Sequence, residues 1–406
     1  MAESPDNRHG HARAFVFATI LIDAIGFGII IPVMPNLIRT LTGADLSAAA
    51  RYGGALMMVF AIAQFFFAPV LGNLSDRFGR RPVLLTSLFI FAVDYLISAF
   101  APTIAWLFVA RIISGMAGAT YSTANALIAD TSKGADKAKG FGMIGAMFGI
   151  GFILGPVIGG FLGEMGPRAP FFGAAALAFA NFTMGMIFLP ETLPRADRRR
   201  FEWRKANPVG ALVSLRAHRL IIGLAAVLFL HQFAHLALAS TWTYAAMQKF
   251  NWGPREVGLS LGVAGVMMAV VQGGLVGKAI RRFGAIRAAS IGFVGGIGGY
   301  LGYAFAPNGA AVLGFIVVGS IAGLTYPAIM GIMSDHAPKN AQGELQGGVS
   351  SLVSVTAIFS PLMMTQIFGY FTSAGAPVYF PGAAFFTAAL LEMAAFAVFL
   401  WAVRDA

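Results

Sequence analysis

The chain has 406 residues, 58% of them hydrophobic and only 11% charged, with a formal net charge of +11 and no cysteine. Soluble domains carry about 25% charge, so most of this chain faces lipid or other helices; disulfides, thiol catalysis and Cys-based metal sites are excluded. The basic surplus would suit nucleic acid by amount alone, but its placement along the chain excludes that partner.

Crossing about 30 Å of hydrocarbon takes roughly 20 apolar residues as helix, and only helices or closed barrels satisfy the backbone in lipid. The long unbroken apolar runs exclude a barrel. Twelve spans are predicted, at 13–37, 50–74, 82–101, 104–128, 138–163, 169–190, 219–247, 256–279, 286–306, 310–335, 343–369 and 379–403. The polar start, MAESPDNRHGHAR, runs directly into a span too long for a signal peptide, so no cleavable signal is expected.

The first span carries Asp23 and the third Asp94, both well inside apolar sequence. A charged carboxylate at mid-bilayer costs roughly 2.5–3.5 kcal/mol. Burial favours the neutral form of a carboxyl group and an adjacent cation the charged form. A group so poised can exchange a proton as a cavity opens to alternate sides; the alternative is a static carboxylate that holds helices together. Between the second and third spans, GNLSDRFGRR at 72–81 reads as a very short loop at a membrane face, with Gly72, Asp76, Arg77, Gly79, Arg80 and Arg81. Asp76 can cap a helix N-terminus and pair with an arginine. Asp130, ending the fourth span, would join it in a cytoplasmic latch between the halves; the plain alternative is a solvated loop.

Arg111 is the single arginine inside a span. It cannot usefully shed its proton, so it needs a carboxylate partner or an anionic substrate. In the fifth span, Gly145, Gly149, Gly151, Gly155, Gly159 and Gly160 let helix backbones approach closely, and Pro156 bends the helix. The polar segment 191–218 divides six spans from six, and its stretch Pro208–Leu215 reads as a small amphipathic helix on the inner surface or as plain connector.

His231 and His235 in the seventh span are four apart and share a helix face. No HExxH context accompanies them, so no metal is expected; they line a cavity or pack as ordinary polar side chains. Gln232 and Gln272 are candidates for substrate hydrogen bonds, and Tyr244, Tyr303 and Tyr326 for the cavity wall. Glu392 in the last span faces a cavity, or is a neutral acid held in a pocket or toward lipid.

The chain repeats itself. GKAIRRFGAI at 277–286 is a weaker copy of the 72–81 segment, Asp130 corresponds to Asp335, and Gly155-Pro156 to Ser360-Pro361, a constant offset of 205 residues. The copy has Arg281 where the first half has Asp76, so a latch is expected in one half only. With the N-terminus placed in the cytoplasm, the outer segments hold only Arg39, Arg51, Arg168, Lys249 and Arg255 of the 28 Lys and Arg residues. That is the positive-inside bias, and it puts both termini in the cytoplasm. The basic residues serve topology and lipid headgroups.

Two six-span halves related by repetition are how many secondary transporters are built, with substrate near the midplane between them. GNLSDRFGRRP resembles the signature loop of the major facilitator superfamily, Arg111-x-x-x-Gly115-x-x-Gly118 its second motif, and Gly145–Gly160 its third, found in drug/proton antiporters. LIDAIGFGIIIPVMP at 21–35, Asp94-Tyr95, and ARIISGMAGAT with IADTS over 110–132 resemble the tetracycline-efflux proteins, and the layout is similar to that of tetracycline transporter-like organic anion transporters. The resemblance implies an all-α membrane protein of twelve helices in two pseudo-symmetric six-helix bundles, 1–190 and 219–406, joined by the linker 191–218. It implies that the first and fourth spans are neighbours, which makes Asp23 the expected carboxylate partner of Arg111. It implies a monomer in a bacterial inner membrane that exports amphiphilic organic compounds, organic anions included, against protons. Small organic substrate, protons and lipid are the implied partners, with no cofactor and no enzymatic reaction. A gradient-independent organic-anion facilitator or importer is the alternative, and a channel or receptor a more distant one. The resemblance lapses at Gly296, where those exporters carry an acid in the ninth span, and at Met268, where they carry a histidine in the eighth.

Overall fold

The computed structural model describes residues 5–118, 120–132, 134–199, 219–338 and 341–404, and among the described residues every regular element is helical. Twelve stretches among the described residues are long and apolar enough to cross a membrane. Their bounds agree with the predicted spans to within a few residues except at the first. There the helix α1 (Pro5–Ile29) stops short of 37, and a turn leads into the separate α2 (Met34–Thr42). Pro32 lacks an N–H and disfavours helical geometry in the residue before it, so the helix cannot run through Ile31-Pro32. The stretch Pro208–Leu215 lies outside the described residues.

The first half continues with α3 (Leu46–Phe78), α4 (Arg80–Phe100), α5 (Ile104–Ala117), α6 (Thr120–Thr131), α7 (Gly134–Gly163) and α8 (Ala169–Phe188). The second comprises α9 (Arg219–Phe250), α10 (Pro254–Val270), a π-helical turn Val271–Leu275, α11 (Val276–Phe283), α12 (Ala285–Phe305), α13 (Gly309–Ser320), a 3₁₀ turn Ile321–Leu324, α14 (Thr325–His336), α15 (Gln342–Thr372) and α16 (Ala383–Ala402). Packing repeats with the sequence: α1 lies on α7 and α8 and α4 on α5 and α8, while α9 lies on α15 and α16 and α12 on α13 and α16. The helices α5 and α6 together make one span, interrupted at Gly118, and α13 and α14 make its counterpart, interrupted at the 3₁₀ turn.

The segment 72–81 is not a loop. Residues through Phe78 are helical and the connection to α4 is Gly79 alone, at φ 108° and ψ 163°; its repeat partner Gly284 has φ 80° and ψ 163°. Each glycine donates its N–H back to the ending helix, Gly79 to the Ser75 carbonyl (3.1 Å) and Gly284 to that of Ile280 (2.9 Å). A side chain at positive φ costs about 1–2 kcal/mol, which Gly284→Ala should show, since nothing else stands in its way. Gly79→Ala should cost more, because a Cβ there also meets the Glu191 carboxylate, its Cδ at 2.7 Å. Thermal unfolding of the two purified variants should therefore rank Gly79→Ala below Gly284→Ala.

The far ends of α4 and α12 are held alike by a cation at the negative helix end. The Arg168 guanidinium donates to the carbonyls of Ala99 (2.5 Å) and Ala101 (2.8 Å), and Lys249 Nζ to those of Tyr303 (3.2 Å) and Ala304 (2.7 Å). One apolar core gathers Phe15, Ile20, Leu84, Leu88, Leu127 and Ile144; another gathers Leu224, Leu228, Phe293, Ile329, Met333 and Phe399. Phe100, Ile187, Phe188 and Val294 are more than half exposed, on faces suited to lipid.

The chain divides into two compact units. One comprises Met1–Leu37, Val59–Asn207 and Pro254–Gly262; the other comprises Ile38–Met58, Pro208–Gly253 and Val263–Ala406. In the first, glycines on α7 meet the α1 backbone at every fourth residue. A Cβ on Gly151 would lie 2.6 Å from the Leu21 carbonyl oxygen, one on Gly155 2.7 Å from that of Ile25, and one on Gly159 would collide with that of Ile29. Gly160, on another side of α7, abuts Pro254 and Gly258 of α10. Gly145 and Gly149, expected in the same interface, face open space.

Candidate substrate and proton site

A cavity of about 280 Å³ opens within the first unit among α1, α3, α4, α5, α6, α7 and α8, and it brings Asp23, Asp94 and Arg111 together. Its wall is amphipathic: Gln64, Tyr95, Ser114, Thr120 and Tyr121 add polar groups, while Phe27, Phe60, Phe91 and Phe148 supply aromatic faces. Tyr121 and Phe148 meet edge to face at 6.1 Å. Such a wall accepts a flat amphiphile with a few fixed polar contacts.

Arg111 pairs with Asp94 rather than with Asp23. Arg111 Nη2 donates to Asp94 Oδ2 at 2.5 Å, and the two side chains are 9% and 1% exposed. The reason lies in helix geometry: α4 and α5 are consecutive, and at 1.5 Å rise per residue both groups sit about 10 Å from the turn joining them. Asp23 instead accepts from Asn181 Nδ2 at 3.2 Å, and Asn181 Oδ1 accepts from Thr19 at 3.1 Å. Thr120 and Ser114 stand close to the two acids. Neither closes a hydrogen bond to them, since Ser114 donates to the Ala110 carbonyl (3.0 Å) and Asp23 Oδ2, Asp94 Oδ1 and Thr120 Oγ1 are buried without a protein partner. Each acid thus keeps one oxygen free to take a proton.

Gly115 and Gly118 bring α5 against α3: a Cβ on Gly115 would lie 2.6 Å from the Phe60 carbonyl oxygen, and one on Gly118 2.8 Å from Gln64 Nε2. Gln64, Asn181, Thr120 and Tyr121 were not legible as site residues. The available signal for Asn181 was an amide inside an otherwise apolar span, which is costly unless partnered.

The expected gate residues separate. Arg80 is the hub, donating to Asp76 Oδ1 (2.6 Å), Asp130 Oδ2 (2.9 Å) and Ser75 Oγ (3.1 Å). Asp76 does not cap a helix; Glu191 does, its Oε1 accepting from the backbone N–H of Arg80 (2.9 Å), where the α4 dipole favours an anion. Glu191 also accepts from the N–H groups of Thr192 and Leu193 (3.0 Å each), and Arg199 N–H donates to the Asp76 carbonyl (3.1 Å). Arg81 turns to the Met186 carbonyl (2.8 Å), Arg77 lies over the Phe78 ring, and Gly72 faces open space.

In the second unit a narrow cavity of about 30 Å³ is lined by His235, Tyr300 and Tyr303, and by Met268 and Gly296, the two positions at which the family resemblance lapses. His231 lies behind it, with Nδ1 2.9 and 3.1 Å from the two carboxylate oxygens of Glu392. Glu392 is therefore a fully buried, partnered acid that does not face lipid. The other expected wall residues go elsewhere. Tyr244 is buried against Gly53, Tyr326 packs on the second core, Gln272 sits exposed in the π-helical turn, and Gln232 lines neither cavity.

The family model described as Major Facilitator Superfamily matches residues 16–361. The class C tetracycline resistance protein of Escherichia coli is 37% identical over 361 residues, 89% of this chain and 90% of its own. The class B protein of Escherichia coli is 35% identical over 353 residues, 86% of each. The crystal structure of the human organic anion transporter MFSD10 (TETRAN) has the same fold, with a TM-score of 0.69 and 23% identity over 98% of this chain and 100% of that one. A multi-pass, all-helical chain of twelve spans with these relatives belongs to the Major Facilitator Superfamily of transporters, and it is similar over most of its length to tetracycline resistance proteins.

Proposed function

We propose that this transporter exports amphiphilic organic compounds in exchange for protons by alternating access. In this reading it works as a monomer in a bacterial inner membrane with both termini cytoplasmic, as the Lys and Arg placement supports. The halves 1–190 and 219–406, joined by 191–218, are the bodies that move. The observation that carries the proposal is the Asp94–Arg111 pair opening on the same cavity as Asp23.

Exchange requires that proton and cargo compete. A compound that offers a cation or hydrogen-bond donors prefers ionised Asp23 and Asp94, and protonation of either acid weakens its hold. Two acids against one arginine favour such cargo, and the names of the class B and class C relatives make tetracycline the first compound to try. An anion would act the other way. It needs Arg111 released by a proton on Asp94, so it would bind with the proton and travel with it. That is the second reading, import or facilitated movement of an organic anion.

Proteoliposomes with an imposed pH gradient separate the two. Tetracycline should accumulate in vesicles with an acidic lumen, opposite to proton flow, and a protonophore should abolish the accumulation. Transport indifferent to the gradient would end the exchange reading, and anion uptake along the proton flow would establish the second.

A further inference from the structure

The second half holds an acid–base pair that the exchange cycle above leaves unused. Glu392 on α16 is 0% exposed, within an apolar span, and His231 on α9 is 3% exposed. Both carboxylate oxygens lie within hydrogen-bond distance of His231 Nδ1. Two elements bring titratable side chains to the pair. The helix α9 adds His235, whose ring lies nearly parallel to that of His231 at 6.2 Å, and α12 adds Tyr300, with Tyr303 beside it; Tyr326 of α14 packs on the second core instead. Between its terminal turns α15 brings no charged or histidine side chain. Among the described residues no Lys or Arg pairs with Glu392.

We propose that His231 and Glu392 form a second proton-exchange site, reached through the cavity beside His235. In a site this dry, the arrangement with no net charge is favoured, and it holds one proton shared between imidazole and carboxyl. Losing that proton leaves a bare carboxylate, which is tolerated only when water reaches it. The cavity adjoins the pair: Gly296 lines the His235 cavity, and a Cβ there would lie 3.0 Å from Glu392 Oε1, so only this glycine separates the carboxylate from the cavity at that point. The cavity has room for at least one water. A proton carried from bulk solution as hydronium passes through that water onto the pair, one O–H of the hydronium breaking as the O–H or N–H of the pair forms, and it leaves by the reverse step. The site thus retains its proton while the cavity is closed and exchanges it when the cavity is hydrated. Its effect on transport rests on the exchange reading above; its titration does not.

Two measurements test it separately. Infrared pH-difference spectra of the purified protein should show a protonated-carboxyl band that vanishes in Glu392→Gln and persists in Asp23→Asn and Asp94→Asn. In His231→Gln, which keeps a hydrogen bond to the acid, the band should remain with a shifted midpoint; this variant decides the matter if Glu392→Gln does not fold. A difference spectrum unchanged by both variants overturns the proposal and leaves a static hydrogen bond. In proteoliposomes at 100 mV, loss of one exchanged proton should lower the steady tetracycline gradient about fortyfold in Glu392→Gln. A lost band with an undiminished gradient overturns the exchange role. Failure of the wild-type protein to move tetracycline counts against the exported compound, while the spectra still decide the site.

Discussion

Asp94→Asn should abolish gradient-driven transport and destabilise the protein by about 3–5 kcal/mol, the cost of leaving one member of a buried ion pair alone. The cost falls on the arginine left behind: the Arg111 side chain is 9% exposed, cannot discharge itself, and has its carboxylate partner in Asp94. Removing both charges in Asp94→Asn/Arg111→Gln should restore most of the lost stability, because no orphan cation remains, but it should not restore coupling. Thermal unfolding together with the proteoliposome assay checks both halves of the statement. A single variant that is as stable as wild type would show that the pair is hydrated and slack, and one that still concentrates cargo with the gradient would remove Asp94 from the proton path.

Gly159→Ala should be among the most damaging single methyls added to the fold. Its Cβ would collide with the Ile29 carbonyl oxygen, which is helix backbone and cannot rotate away. Overpacking of this kind costs about 1–3 kcal/mol, toward the upper end where backbone must move. Gly145→Ala is the control on the same helix: it faces open space and replaces a poor helix former with a good one, a gain of up to about 1 kcal/mol. Unfolding temperatures should move in opposite directions for the two. Equal losses would mean that α7 tolerates no substitution for reasons other than its contact with α1.

Depth along each span could be counted from the sequence, and azimuth could not. Asp94 and Arg111 lie six and seven residues from the ends that face the α4–α5 turn, so their common depth was available. What pointed to Asp23 was the family layout, which says which helices are neighbours but not which faces they turn to one another. His231 and Glu392 are 161 residues apart and likewise similar in depth, yet their hydrogen bond depends on how α9 and α16 roll against each other. Glu191 reads as ordinary linker, and only the fold carries it to the α4 N-terminus.

The order and length of the spans and the internal repeat were fixed by the chain itself, because lipid demands about 20 apolar residues per crossing and internal pairing of every backbone group. The one-residue turns at Gly79 and Gly284 belong to the same local level, since few residues but glycine accept their φ. Partner choice belonged to the tertiary structure. A buried charge takes whatever counter-group helix rotation and crossing deliver within about 3 Å, and those angles are set by packing of whole faces, here the glycine ridge of α7 on α1 and the meeting of α9 with α16.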